Sequence, residues 1–146
     1  MVLKKIGLTG STGMLGRHLQ AALEKEGAMV VPVSRTATIN HDNLCWDLTE
    51  WIAPGDLDGM FAGVQAVIHA GAIVQPSGDV DVARMYDANV RACLNLGEWA
   101  KNRNIPVIYI SGAIVYADTL ATEQKEEAPL GWKGLGGFYG FSKLLA

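Results

Sequence analysis

A glycine-spaced turn near the amino terminus is the feature that most constrains how this chain folds. It lies in the stretch Lys5-Ile-Gly-Leu-Thr-Gly-Ser-Thr-Gly-Met-Leu-Gly-Arg-His18, where glycine recurs at every third position from Gly10 through Gly13 to Gly16. We interpret the stretch as an apolar strand, a tight turn and the start of an amphipathic helix. Gly10 permits the tight exit from the strand, Gly13 lets an anion approach the backbone, and Gly16 lets the helix lie near the sheet. The free N–H groups and the positive dipole end of such a helix favour a pyrophosphate.

Strand-like and helix-like segments alternate along the rest of the chain. The predicted strands are 2–9, 28–34, 44–46, 66–70 and 106–111, and the predicted helices follow the glycine turn, fall within 49–61, span 79–104 and begin near 138. This alternation implies repeated βαβ units, and therefore an α/β fold with a doubly wound parallel sheet. Ligands of such sheets bind at the carboxyl ends of the strands. One crevice can therefore collect the residues at those ends, which are Thr9, Ser34, Asp47, Ala70 and Ser111.

Several packing expectations follow from the apolar pattern. Asp79 is the predicted cap of the long helix, and Gly27 is the predicted stop of the first one. The apolar face predicted for the long helix comprises Val82, Tyr86, Asn89, Cys93, Leu96 and Ala100. The residues interpreted as packing rather than chemical groups are His69, Trp46, Trp51, Trp99 and Trp132.

Composition excludes several classes of protein. A length of 146 residues suits one domain, and the net charge of −3, without a basic stripe, argues against a nucleic-acid surface. Cys45 and Cys93 lack the spacing of a disulfide framework or a metal site, so we expect reduced thiols and a cytoplasmic protein. The longest apolar run, 64–74, is too short and too interrupted to span a membrane, and the start of the chain does not resemble a signal peptide.

A tyrosine and a lysine near the end of the chain form a second motif. In Tyr139-Gly-Phe-Ser-Lys143 the two side chains are four residues apart, so on a helix they share one face. A nearby ammonium lowers the pKa of a phenol, which can then exchange a proton with an alcohol or a carbonyl near neutral pH. The alternative is a chance pair on a surface helix, and the motif alone favours that alternative.

The order of several short motifs favours a functional Tyr139–Lys143 pair over a chance pair. The sequence resembles the extended short-chain dehydrogenase/reductase family, in its nucleotide-sugar epimerase/dehydratase group, and the resemblance covers the whole chain. The motifs that carry it are Thr9-Gly-Ser-Thr-Gly-Met-Leu-Gly16, Asp47-Leu48, His69-Ala-Gly-Ala72, Asn89-Val-Arg-Ala-Cys-Leu-Asn-Leu96, Ser111-Gly-Ala-Ile-Val-Tyr116, Glu127-Ala-Pro129 and Tyr139-Gly-Phe-Ser-Lys143.

The resemblance implies roles for individual residues. Tyr139 would be the general acid/base, and Lys143 would hold the nicotinamide ribose and lower the tyrosine pKa. A catalytic serine or threonine expected four residues before Tyr116 is replaced by Gly112, so the adjacent Ser111 is the candidate substitute if the strand end twists to turn it toward the site. Asn89 would mainly support the site, with a satisfied core asparagine as the alternative. The expected cofactor contacts are Gly10, Thr12, Gly13, Met14, Leu15, Gly16, Ser34, Arg35, Asp47, Leu48, Ala70, Gly71, Ala72, Asn89, Tyr139 and Lys143.

The end of the second strand bears on the choice of cofactor. An acidic residue there would accept hydrogen bonds from the adenosine ribose of NAD, but this chain has Ser34-Arg35. Because Arg35 can pair with a 2′-phosphate, we expect NADP in preference to NAD; the alternative is an exposed loop arginine. Asp47 resembles the family carboxylate that faces the adenine edge, and its alternative role is a cap for the residues that follow.

The resemblance also implies a larger whole. Family members are about twice as long, and their second half supplies a substrate-binding lobe. We therefore expect 1–146 to be a Rossmann domain truncated within the catalytic helix and lacking that lobe. The implied activity is that of an NAD(P)-dependent epimerase, dehydratase or reductase of a nucleotide-linked sugar, in a protein that can form a homodimer and binds neither nucleic acid nor membrane. The alternatives are a non-catalytic dinucleotide-binding sensor and, less favoured because it need not keep Tyr-x-x-x-Lys, a reductase of the isomerase-like atypical branch.

Overall fold

The sheet is built as the alternation predicts. A computed structural model describes residues 5–36, 44–74, 81–118, 120–131 and 137–146. Its strands form one five-stranded sheet in the order β3-β2-β1-β4-β5, and every pairing is parallel. The strands are β1 (Lys5–Thr9), β2 (Met29–Ser34), β3 (Leu44–Cys45), β4 (Ala66–His69) and β5 (Val107–Tyr109).

Helices connect the strands and cover both faces of the sheet. They are α1 (Met14–Lys25), α2 (Pro54–Met60), α3 (Val82–Tyr86), α4 (Ala92–Lys101) and α5 (Gly137–Leu145), with a π turn at Asp87–Arg91 and a 3₁₀ turn at Ala113–Val115. The strand order reverses at β1, since the chain runs outward to β3 and then returns to β4 on the other side. The prediction of a doubly wound α/β fold is confirmed, and the reversal marks the place where such sheets bind ligands.

Two hydrophobic clusters hold the helices to the sheet. On one face Leu57 and Phe61 of the α2 region and Leu96 of α4 pack with Val33 and Val67 of the strands. The cluster on the other face joins Ile6, Leu8 and Ile68 to residues of α1, namely Leu19 and Leu23. Each fully buried side chain of this kind contributes about 1.5–3 kcal/mol relative to an exposed one. The sheet is therefore a rigid frame for the loops at its edges.

Turn residues end the elements where the sequence indicates. Gly27 has a φ of +82°, a conformation that favours glycine, and it follows α1 as predicted.

Pro32 lies within β2 opposite Leu8 of β1. In the described residues β3 pairs only with Val33 and Ser34, so β2 has a single strand neighbour at the proline.

The long helix differs from the prediction at its start and in its middle. Asp79 lies outside the described residues; the helix begins at Val82, and the carboxylate of Asp81 caps it by accepting a hydrogen bond from the Arg84 N–H at 2.9 Å. The π turn Asp87–Arg91 then separates α3 from α4. No composition signal marks such a turn, because it differs from α-helix only in its hydrogen-bond spacing.

The predicted apolar face of this helix is wrong at its first two positions. Val82 is 47% exposed and Tyr86 is 43% exposed, whereas Met85, Ala88 and Ala92 are buried. The sequence contains two apolar stripes that lie one residue apart, and both have helical spacing. Periodicity cannot choose between two such stripes; contact with the rest of the molecule does.

The tryptophans divide between core and surface. Trp46 and Trp99 are buried, as predicted, and the Trp99 ring lies 5.4 Å from the Phe61 ring. The expectation for Trp51 is wrong, because its side chain is 58% exposed while the neighbouring Ile52 packs against the core. Trp132 lies outside the described residues.

Candidate functional site

A cavity of about 370 Å³ lies at the carboxyl ends of the strands. Its volume falls in the range typical of small-molecule sites. The segments that follow β1, β2, β3 and β4 all contribute to its wall, so the crevice lies where the strand order reverses. The lining residues are Thr9, Gly10, Thr12, Gly13, Val33, Ser34, Arg35, Trp46, Asp47, Leu48, Ala70, Gly71, Ala72, Ile73, Val74 and Ala88.

The glycine turn forms one end of this cavity, and its geometry requires glycine. Gly10 has a φ of +69°, and a Cβ atom added there would lie 2.7 Å from the Cα and N atoms of Gly71. A Cβ atom on Gly16 would overlap the Gly10 carbonyl oxygen and lie 2.8 Å from Ser11 Cα. Gly16 therefore lies against the backbone of the glycine turn, and this close contact places the start of α1 at the end of β1.

The start of α1 fits an anionic group. Gly13 is the residue before the helix; its N–H donates to the Gly10 carbonyl at 3.0 Å, and no side chain caps the helix. Helix geometry leaves the N–H groups of Met14, Leu15 and Gly16 without an acceptor inside the helix. The first turn holds no acidic residue that would repel an anion. The residues present therefore fit the pyrophosphate of a dinucleotide.

Charged side chains of both signs lie at the β2 and β3 side of the cavity. Arg35 is exposed and lines the wall, and its carbonyl oxygen accepts a hydrogen bond from the Cys45 thiol at 3.0 Å. Asp47 accepts hydrogen bonds from the Thr49 N–H at 3.0 Å and from the Thr49 hydroxyl at 2.9 Å. These bonds to Thr49, followed by the charges of Arg84 and Arg35, hold the pKa of Asp47 below its ordinary value despite partial burial. Asp47 thus caps the turn after it and also faces the cavity.

His69, at the end of β4, is the packed histidine that the sequence predicts. It is completely buried, and its Nδ1 atom lies 2.7 Å from the Thr9 hydroxyl oxygen. Burial, and to a lesser extent the Lys143 ammonium, lower its pKa to about 4. His69 is therefore neutral at physiological pH.

On α5, Tyr139 and Lys143 do not interact as predicted. The Lys143 ammonium donates to the Ile110 carbonyl at 2.9 Å and lies 4.7 Å from the centroid of the Tyr109 ring. Burial lowers the pKa of Lys143 and raises the pKa of Tyr139. In this structure the ammonium is engaged at the end of β5, and the pKa of Tyr139 is raised by burial; the lowering of that pKa by Lys143 stays a prediction.

Asn89 joins three parts of the site. Its amide accepts from the Ile73 N–H at 2.7 Å and donates to the Ile73 carbonyl at 2.9 Å and to the Ser142 hydroxyl at 2.9 Å. Ser142 in turn donates to the Tyr139 carbonyl at 2.8 Å. These contacts are those of a satisfied core asparagine that ties the cavity wall to α5. Ser142 is not among the predicted site residues. Its position on α5, three residues after Tyr139, is the sequence feature that could have indicated it.

Ser111 follows β5 as an exposed residue, one position beyond Ile110. The 3₁₀ turn after it packs on α5, since a Cβ atom on Gly140 would lie 3.3 Å from both Cγ1 and the carbonyl oxygen of Ile114. The glycine of the Tyr-Gly-Phe-Ser-Lys motif thus lets this turn lie against the helix that carries Tyr139.

Most of the predicted cofactor contacts lie together in the cavity wall. They are Gly10, Thr12, Gly13, Ser34, Arg35, Asp47, Leu48, Ala70, Gly71 and Ala72. The wall does not include the remaining candidates, which are Met14, Leu15, Gly16, Asn89, Ser111, Tyr139 and Lys143. The wall also contains apolar residues that the sequence does not mark as parts of the site, because lining residues and core residues show the same hydrophobic pattern. They are Val33, Trp46, Ile73, Val74 and Ala88.

Two further features concern metal binding and membrane insertion. Within the described ranges, no three His, Cys, Asp or Glu side chains are grouped as metal ligands. No helix in the described part of the chain has the length and apolar character to cross a bilayer.

Comparison with known proteins gives related sequences and folds. The model of the NAD dependent epimerase/dehydratase family matches residues 6–146. The ADP-L-glycero-D-manno-heptose-6-epimerase of Alkalilimnicola ehrlichii is 31% identical in an alignment 148 positions long, and this alignment covers 94% of this chain and 44% of that protein.

Solved structures share the same architecture. A short-chain dehydrogenase/reductase superfamily protein from Agrobacterium tumefaciens, crystallised with bound NAD, matches with a TM-score of 0.80 and 27% identity over 97% of this chain and 42% of that one. The Helicobacter pylori ADP-L-glycero-D-manno-heptose-6-epimerase matches in fold, with a TM-score of 0.75 and 24% identity over 99% of this chain and 49% of that one.

The chain thus spans about half the length of the proteins it matches. The family match covers the glycine turn, the strand ends around the cavity and the Tyr139–Lys143 motif. On this match, the chain belongs to the NAD-dependent epimerase/dehydratase family of extended short-chain dehydrogenases/reductases.

Proposed function

We propose that this chain is the dinucleotide-binding part of an enzyme that oxidises or reduces a nucleotide-linked sugar, as an epimerase, dehydratase or reductase. The observation that carries the proposal is the cavity at the reversal of the strand order, whose wall holds most of the residues expected to contact the cofactor. The names of the relatives support it, since one acts on an ADP-linked heptose and another was crystallised with NAD.

The roles proposed within the cavity follow its charges. The N–H groups at the start of α1 bind the pyrophosphate, and Asp47 lies at the adenosine side with Arg35. Among the described residues the Arg35 guanidinium has no hydrogen-bond partner, and it can form a forked pair with a 2′-phosphate, so we propose a preference for NADP over NAD. Thr49 and Arg84 occupy the Asp47 carboxylate, which limits its repulsion of that phosphate.

The chemical step is assigned to α5. A bound nicotinamide supplies the hydride donor or acceptor. Tyr139 carries its proton at neutral pH, as an ordinary phenol does, and burial raises its pKa further; it can give that proton to a sugar carbonyl as it is reduced. For the reverse direction we propose that the Lys143 ammonium leaves the Ile110 carbonyl and approaches the phenol, and Ser111 is the proposed hydrogen-bond donor to the sugar oxygen.

Arg35 is tested by titrating the chain with NADPH and with NADH, following tryptophan fluorescence. Trp46 lines the cavity and serves as the reporter. We expect tighter binding of NADPH, and roughly a tenfold loss of that affinity in Arg35→Ala with little change for NADH, because a charge-assisted hydrogen bond is lost. Lys25→Ala, at the far end of α1, is the control and should bind as the wild type does.

Equal or preferential binding of NADH would overturn the assignment of NADP. Binding of neither dinucleotide would overturn the proposed function itself.

Tyr139 is tested by turnover on a panel of nucleotide-linked sugars in the presence of the preferred dinucleotide, with a full-length protein that includes the substrate-binding half expected from the resemblance. Tyr139→Phe should retain cofactor binding and lose about 10²- to 10⁴-fold in rate, which is the usual contribution of a general acid. Phe138→Leu, on the neighbouring position of α5, is a matched control that keeps the phenol.

A full-length protein, with the substrate-binding half present, that binds the dinucleotide but turns over no sugar would favour the second candidate function, a non-catalytic dinucleotide-binding module. Gly112, at the position where the family usually has a hydroxyl, is the observation that favours this candidate.

A further inference from the structure

Thr9 and His69 occupy equivalent places on neighbouring strands. They are the last residues of β1 and β4, and they are partners in the parallel register. Both are buried, with exposed fractions of 1% and 0%. Two polar side chains in such a position must satisfy each other or a nearby backbone group.

The hydrogen atoms of this pair can be assigned by counting donors. The Gly71 N–H donates to the Thr9 hydroxyl oxygen at 3.2 Å, and that oxygen lies 2.7 Å from His69 Nδ1. A hydroxyl has one hydrogen and accepts through its lone pairs. The Thr9 hydroxyl oxygen accepts from the Gly71 N–H, and its own hydrogen has Nδ1 as its only acceptor among the described residues, so we assign the hydroxyl as the donor to Nδ1. His69 is then the neutral tautomer with its hydrogen on Nε2.

The surroundings of His69 keep its imidazole neutral. Its ring stacks on Tyr109 with centroids 6.0 Å apart, and the Lys143 ammonium adds a positive charge. Burial and that charge both disfavour a protonated imidazole. Nε2 is buried and has no hydrogen-bond partner among the described residues, so Thr9 fixes the ring through Nδ1.

Gly71, at the other end of these hydrogen bonds, is packed from several sides. A Cβ atom on Gly71 would lie 2.7 Å from Leu48 Cδ1 and 3.3 Å from the Thr9 hydroxyl oxygen. A Cβ atom on Gly10 would lie 2.7 Å from the Gly71 backbone. Thr9, Gly10 and Gly71 all line the cavity, so a shift of Gly71 changes the distance between the glycine turn and the wall opposite it.

We propose that Thr9 and His69 are positioning residues for the dinucleotide: the hydrogen bonds from the Gly71 N–H to Thr9 and from Thr9 to His69 set the width of the cavity between the glycine turn and the end of β4. The inference rests on the proposed function, because it assigns the cavity to a dinucleotide. Neither side chain takes part in the chemical step.

The test compares Thr9→Val, which has nearly the same shape but no hydroxyl, with Thr9→Ser, which keeps it. Dissociation constants for NADPH and NADH are measured by fluorescence. Thr9→Val should bind both dinucleotides roughly tenfold more weakly, and Thr9→Ser within twofold of the wild type. Val64→Ala, in the core cluster on the α2 and α4 face, is the control for lost stability and should leave both constants unchanged.

A second measurement does not depend on the cofactor. Histidine ¹⁵N shifts of the wild type and Thr9→Ser should report an unprotonated Nδ1 at His69, and those of Thr9→Val should change. Wild-type affinity in Thr9→Val, an equal loss in Val64→Ala, or a hydrogen on Nδ1 of the wild type would each overturn the inference. If the wild type binds neither dinucleotide, both the proposed function and this inference fail; if it binds and Thr9→Val binds equally, the inference alone fails.

Discussion

The buried imidazole of His69 makes the stability of the protein depend on pH. Its pKa is lowered to about 4 in the folded chain, by burial first and by Lys143 second, whereas an unfolded histidine titrates near 6.5. Between these values the unfolded chain binds more protons, so the free energy of unfolding falls as the pH falls. The contribution of neutral His69 to the free energy of unfolding is fully present above about pH 6.5. At pH 5 that free energy is lower by about 2 kcal/mol.

Urea unfolding at pH 7 and pH 5 measures this loss. In His69→Gln the same decrease in pH should cost far less, because the substitute does not titrate. His18→Gln is the control, since His18 is exposed on α1 and its variant should keep the wild-type pH dependence. A wild-type stability that is equal at the two pH values would contradict the prediction.

At the residue scale, predictability depends on how many conformations a side chain has. The need for glycine at positions 10 and 16 could be predicted, because a positive φ and a close backbone approach exclude every other side chain. The direction of the Lys143 ammonium could not be predicted. Its long, flexible side chain can reach a phenol one helical turn away or a carbonyl just after β5, and in this structure it binds the Ile110 carbonyl.

At the scale of elements, the Asn89 amide is the connection between the long helix, the cavity wall and α5. Asn89→Ala would leave the Ile73 N–H and carbonyl and the Ser142 hydroxyl without this partner. We expect a loss of about 2–4 kcal/mol in the free energy of unfolding, because unsatisfied buried groups each cost about 1–3 kcal/mol. Urea denaturation measures it.

Asn102→Ala, at the exposed end of α4, is the matched control and should change the free energy of unfolding by less than about 0.5 kcal/mol. Asn89→Asp keeps an acceptor for the Ile73 N–H but places a carboxylate oxygen against the Ile73 carbonyl in a buried site, so it should be at least as destabilising as Asn89→Ala. A near-neutral Asn89→Ala would show that these hydrogen bonds contribute little.

The strands could be predicted from the sequence, whereas the interior of the long helix could not. Buried parallel strands are short apolar runs bounded by turn residues, as Ala66–His69 is. The helix has two overlapping apolar stripes. Met85 and Ala88 are buried whereas Val82 and Tyr86 are exposed, and which stripe is buried depends on what the helix packs against.

At the scale of the whole molecule, the topology leaves little freedom. Right-handed crossovers between parallel strands restrict the chain to a few arrangements, and the reversal at β1 places the cavity. The polar and glycine residues of its wall could therefore be predicted. Apolar wall residues that no motif marks, such as Val33 and Ile73, could not, because only the three-dimensional structure distinguishes a wall from a core.

The π turn at Asp87–Arg91 has a consequence for how sequences of this fold are compared. Hydrogen bonds that span five residues instead of four accommodate one more amino acid than the same length of α-helix. A homologue shorter by one residue at this point can keep both helix ends, and with them the neighbours of Asn89, in place. An alignment that forces such a gap into a flanking loop would shift every position in between and pair Asn89 with the wrong residue.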